Sequence, residues 1–307
     1  MLRRIEGASS PLPSLRDIRG RIRSVQNTRK ITKAYQVVAA TKLRRAQQAV
    51  QTARPYADKM LEVLATTSEL ATEYRHPFLQ RREGNRAVVI LVTTDKGLCG
   101  AINVNAIRAA NRHLLDNQLK GRWVTIGKKG RDFLARFGRD IIADASELGD
   151  YPSFAAILPA ITVALQEYEK GEADIVLLVY EKWISTLRQE PTVRVLLPIE
   201  IPKQETTAGD GGARPSTDAD YIYEPGAEEV LDALLPRYVE TQVFQAVLEN
   251  KASEWSARMI AMQNATEAAG ELIDSLTLFM NKVRQAMITT ELMEIVSGAE
   301  ALRSSGS

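Results

Sequence analysis

The chain has 307 residues, 45% of them apolar and 25% charged, enough to bury a core in one large domain or two ordinary ones. Its formal net charge is only +2, which excludes a protein that coats nucleic acid with its whole surface. A single cysteine, Cys99, excludes internal disulfides and paired-cysteine redox or zinc motifs, and two histidines exclude a histidine-rich metal site. No apolar run approaches the roughly 18 residues needed to cross a bilayer.

Residues 1–13, MLRRIEGASSPLP, are too short and mixed to be a transit peptide and are expected to form a disordered extension. Ser14 is a plausible N-cap, and from there a 3-4 spacing runs through Leu15, Ile18, Ile22, Val25, Arg29, Thr32, Gln36, Ala39, Leu43, Ala46, Val50, Ala53, Ala57, Met60 and Leu64. This predicts one helix over 14–67, kinked near Ala53 because Pro55 lacks a backbone donor. Its charge is one-sided: Ser14 to Arg45 holds ten Lys or Arg against one acid, Asp17.

The period then changes. RAVVILVTT, WVTIG, DIIADAS, DIVLLVYEKW and TVRVLLPIE read as strands, with helices near 101–118, 128–137 and 154–170 between the first four. An inserted, Rossmann-like α/β domain over 68–225 follows, its mostly parallel sheet finished by a hairpin. The stretch 202–218 reads as a flexible loop. The C-terminal helical region is placed at 226–307, its long helix starting near Pro236, with a stripe through Tyr238, Leu248, Ala252, Trp255, Met262, Ala269, Ile273, Val283 and Met287. A second apolar stripe at Leu278, Ile288, Leu292, Ile295, Ala299 and Leu302 leaves the tip apolar on several sides.

At 1.5 Å per residue these helices run roughly 80 and 100 Å, too long for core helices of a small domain. Pro236 to Glu300 carries nine acids and five bases, so the two helices are expected to pair by charge. The fold class is therefore α/β with a long antiparallel coiled coil of the N- and C-terminal helices. Three functions stay open on these residues: a coiled-coil scaffold that binds an acidic partner, a basic-helix nucleic-acid binder, and, least favoured, an α/β dinucleotide enzyme. Against the second, Tyr35 is the lone aromatic among the basic residues. Against the third, DKGLCG and GKKG lack the spacing of a phosphate-binding loop and read as strand-to-helix turns, with Gly97 and Gly100 serving backbone geometry. Glu228 and Glu229 suit a helix N-terminus better than acid-base work, and Cys99 reads as an inert, partly buried thiol.

SLRDIRGRIRSVQNTRKITKAYQVVAATKLRRAQ, TTDKGLCGAINVNAI and SARMIAMQNATEAAGELIDSLTLFMNKVRQAMITTELMEIVSGAEAL together resemble the γ subunit family of F-type ATP synthases. The chain departs from that family at Gly20, Tyr35, Trp255, Ala268 and Met280. The resemblance implies a non-catalytic central rotor with no cofactor and no metal, peripheral to the membrane on the cytoplasmic face of a bacterial plasma membrane. Its partners would be the α and β subunits, the ε subunit and the membrane c-ring. It further implies subunit contacts at Arg29, Lys30, Lys33, Asp95, Lys96, Arg284, Gln285 and Glu291, and an apolar bearing tip of Ile288, Leu292, Ile295 and Val296. The small residues Ala34, Ala39 and Ala40 would let the helices approach.

Overall fold

A computed structural model describes residues 14–70, 76–200 and 226–305. Both the extension expected at 1–13 and the loop expected at 202–218 lie outside them. Helix α1 spans Leu15–Leu70 and α5 spans Ala227–Ser305. Between them come β1 (Arg86–Val92), α2 (Ile102–Asp116), β2 (Lys120–Ile126), α3 (Lys128–Arg136), β3 (Ile141–Ala145), α4 (Phe154–Glu169), β4 (Ile175–Trp183) and β5 (Gln189–Leu197).

The sheet order is β3-β2-β1-β4-β5. Strands β1 to β4 are parallel, and β5 returns antiparallel to β4 in the expected hairpin. β1 reads RAVVILV and is buried at every position after Arg86, as a central parallel strand covered on both faces must be. One face packs against α4, α5 and the end of α1, through Ile161, Ala164, Leu235, Val243 and Leu64. The other packs against α2 and α3, through Ala106, Ile107, Ala110 and Leu134.

The chain divides into two units. One holds residues 38–260; the other holds 1–37 and 261–307, and α1 and α5 contribute to each. In the larger unit the two helices run antiparallel through a seam of Ala39, Leu43, Ala46 and Val50 with Leu248, Ala252 and Trp255. In the smaller unit Thr266 Oγ1 donates to Thr32 Oγ1 at 2.8 Å, and the Arg29 guanidinium lies against Gly270.

Several sequence expectations are corrected. The last helix starts at Ala227, not near Pro236, which is accommodated inside it. Proline in a helix interior costs on the order of 3 kcal/mol, and the deep burial of Leu231, Leu235 and Val239 around it offsets that cost. Helix α1 runs through Pro55 and extends past the expected end at Thr67, to Leu70. Of the three small residues expected at the seam, Ala39 is buried, but Ala34 and Ala40 are exposed. Met262 is buried while Met287 is exposed. Among the described residues no ion pair joins α1 to an acid of α5, although Arg54 of α1 acts electrostatically on Glu249. Lys42 of α1 reaches Asp150 at 2.5 Å, whereas Glu240 pairs with Arg237 and Glu254 with Lys251 and Arg258, all within α5.

Candidate functional site

In a parallel sheet of this order, the place for a nucleotide is the crevice beyond the carboxyl ends of β1 and β4, where the strand order reverses. Here α5 occupies it. Asn250 Oδ1 accepts from the Glu181 amide on β4, and Ser253 Oγ donates to the Glu181 carbonyl at 2.9 Å. Arg258 Nη2 donates to the Gly97 carbonyl in the turn after β1 at 3.1 Å. Between these anchors Glu254, 2% exposed, lies 3.0 Å from Lys251 and 2.7 Å from Arg258. The Trp255 ring is flanked by Lys42 at 4.8 Å and Arg258 at 4.4 Å.

The turns that resembled phosphate cradles bind one another. Lys128, Lys129 and Gly130, the opening residues of α3, donate their amides to Asp95 Oδ1, the Thr94 carbonyl and Thr93 Oγ1. A helix N-terminus whose donors are consumed has none left for an anion. Gly127 is required here, since its φ is +102° and a Cβ would stand 2.2 Å from the Thr93 carbonyl oxygen. Gly100, at φ +63°, also needs its freedom, but Gly97 does not: a Cβ there meets only Lys129 at 3.8 Å, and it is Leu98 that takes the left-handed conformation. The Cys99 thiol is buried 3.7 Å from Thr94 Oγ1 and 3.5 Å from Asn103 Nδ2, and burial pushes its pKa up, away from thiolate reactivity.

Asp95 and Lys96 behave differently from each other. Asp95 spends its carboxylate on the amides of Lys128, Glu147 and Leu148, tying three loops together. Lys96 is exposed, and its carbonyl accepts from Thr94 Oγ1 at 2.7 Å and from Arg258 Nη2 at 3.5 Å.

In the smaller unit Arg29, Lys30 and Lys33 stand exposed along one groove of about 1030 Å³, shared with Gln263, Thr266 and Glu267. Lys33 Nζ donates to Gln36 Oε1 at 3.2 Å, a tie within α1 that leaves its charge toward solvent. Because Gly270 has no side chain, the Arg29 guanidinium rests directly on α5. The three cations outnumber the one acid of that groove, Glu267, and form a cationic ridge suited to carboxylates.

From Arg284 to Ala301 every position of α5 is exposed. Arg284, Gln285 and Glu291 project there beside Ile288, Leu292, Ile295 and Val296, with Ile295 68% exposed. An apolar helix exposed all round is a surface waiting for a cover. The structure thus places the expected contact residues in three groups: the cationic ridge, the exposed end of α5, and the turn after β1.

What the sequence reading missed is the buried trio Lys251, Glu254 and Arg258. Their i, i+3 and i+4 spacing was legible, but on one helix such spacing equally describes a solvated face.

A family model described as ATP synthase matches residues 14–302. The chain is 49% identical to the ATP synthase gamma chain of Ralstonia nicotianae over 290 residues, 94% of this chain and 99% of that one. It is 47% identical to the gamma chain of Chloroflexus aurantiacus over 299 residues, 95% of this chain and all of that one. Among solved structures, the fold resembles the rotor of the Euglena gracilis mitochondrial ATP synthase, with a TM-score of 0.58 at 20% identity over 89% of this chain and 98% of that one. A central-stalk chain of the Tetrahymena thermophila enzyme gives a TM-score of 0.54 at 23% identity, over 76% of this chain and 99% of that one.

Proposed function

Since the chain belongs to the ATP synthase family and matches its gamma chains nearly end to end, we infer that it is the central rotor of an F-type ATP synthase. It is not catalytic by itself. It couples rotation of the membrane c-ring to ATP synthesis and hydrolysis at the β subunits, inside a hexamer of α and β subunits and together with ε. The observation that carries this reading is 46–49% identity to gamma chains across almost the whole of both sequences.

The residues suit the task. A rotor needs contacts that form, break and re-form on successive partners. Exposed ion pairs serve, since each is worth about 0–1 kcal/mol and is screened by salt. We assign Arg29, Lys30 and Lys33 to acidic levers of β, and Arg284, Gln285 and Glu291 to polar contacts around the end of α5. Ile288, Leu292, Ile295 and Val296 form the bearing, where apolar side chains allow rotation without a fixed hydrogen-bond register. In the turn after β1, Lys96 meets the neighbouring subunit and Asp95 holds the turn in place. Functionally the chain divides into a shaft, 14–67 with 226–307, and a body, 68–225, which meets ε and the ring. No helix among the described residues is long and apolar enough to cross a membrane. We place the subunit peripherally, on the cytoplasmic face of a bacterial plasma membrane.

The test is reconstitution. Purified chain is mixed with separately purified α and β of the same organism, and ATP hydrolysis is measured for the full chain and for one truncated before Ile288. Hydrolysis that depends on the chain and falls with the truncation is expected. A chain that neither joins α and β nor changes their hydrolysis would defeat the rotor assignment.

A further inference from the structure

A second groove in the smaller unit, about 620 Å³, runs along α5 beside Val283, Ala286, Met287, Thr290, Glu291 and Glu294 and opens at Ser14. We propose that residues 1–13 of this same chain dock in it, laying their apolar residues on α5 and their arginines against Glu294. The family match begins at residue 14 and does not cover this segment.

Three observations fit. The first is where the segment enters. Ser14 caps α1 by accepting from the Asp17 amide at 3.2 Å, and it lines the groove itself. Arg29 lies on Gly270 and Thr32 bonds Thr266. The same antiparallel register carried to Ser14 brings it level with about residue 284, at the start of the groove.

The second is length. Val283 to Glu294 rises roughly 17 Å along the helix, and a nine-residue coil from Ser14 back to Ile5 has a root-mean-square span of about 17 Å. The third is chemistry. The segment offers Leu2, Ile5 and Leu12 with Arg3 and Arg4. The groove offers exposed Met287, a floor at buried Val283, and the carboxylate of Glu294, an acid not given to a subunit contact above. Contacts from Pro11 and Pro13 need no backbone donor on the groove side.

The test is disulfide trapping in the full chain with Cys99→Ser, so that only introduced thiols react. Ile5→Cys is paired with Thr290→Cys, which lines the groove, or with Thr289→Cys, which is equally exposed but does not line it. A docked segment gives a within-chain disulfide at least tenfold faster with position 290. Arg3→Glu with Arg4→Glu should abolish the preference, and adding Glu294→Lys should restore part of it. Equal rates at 289 and 290 would overturn the proposal, as would disulfides that form only between chains, which would assign the groove to a second copy. Neither result depends on whether the chain assembles with α and β.

Discussion

Replacing Glu181 by Gln should flatten the pH dependence of stability in the larger unit. Glu181 is 2% exposed on β4, its Oε1 has no hydrogen-bond partner among the described residues, and burial pushes its pKa from 4.5 up to about 8. The folded chain therefore holds a proton at Glu181 that the unfolded chain has released, so stability falls as pH rises from the unfolded value to the folded one. Each pH unit inside that window costs about 1.4 kcal/mol. From pH 6 to pH 8, allowing for half-titration at the upper end, the loss from this one group is about 2 kcal/mol. Glu181→Gln keeps the shape and cannot ionise. The assay is urea unfolding followed by tryptophan fluorescence, since Trp123, Trp183 and Trp255 all belong to residues 38–260. The measured quantity is the difference between wild type and variant at pH 6 and pH 8. Glu249 is also buried with a raised pKa, and it cancels in that difference. Unfolding free energies that run parallel over the interval would refute the argument, because the carboxyl would then not be held neutral.

Glu254→Ala leaves Lys251 and Arg258 buried without their common partner and should cost about 3–5 kcal/mol in the same unfolding assay. Gly127→Ala sets a Cβ against the Thr93 carbonyl at a left-handed φ and should cost on the order of 3 kcal/mol; an unchanged urea midpoint would contradict the packing of the two turns. Neutralising the ridge as Arg29→Gln, Lys30→Gln and Lys33→Gln should leave that midpoint within about 0.5 kcal/mol per residue, since all three are exposed. The same change should make ATP hydrolysis by the reconstituted complex less sensitive to salt. Leu292→Ser with Ile295→Ser should reduce aggregation of the isolated chain, measured by light scattering, by removing exposed apolar surface.

Much of the fold was legible because it depends on local periodicity. The α1 stripe chosen by 3-4 spacing is buried or half-buried at every position except Arg29. The strands were read from β-branched runs between turn signals, and the contact residues of the ridge and tip from resemblance in motifs rather than from any geometry. The boundary at Pro236 failed because propensity is local while the burial of Leu231, Leu235 and Val239 that overrides it is not.

By itself the sequence determined two long helices, a parallel sheet closed by a hairpin, and the segregation of charge onto α1. Only the tertiary structure decided which polar residues lie inside. From Glu249 to Arg258 every residue of α5 is buried, though five of those ten positions carry charge or an amide. Helical spacing identifies one apolar stripe and cannot reveal that a helix is covered on its remaining sides. That covering comes from distant segments, the turn after β1, the end of β4 and Lys42 of α1, which meet α5 only when the chain has folded. The same meeting fills the crevice a nucleotide would use, so an α/β sheet of dinucleotide-binding order becomes the body that grips a rotor helix.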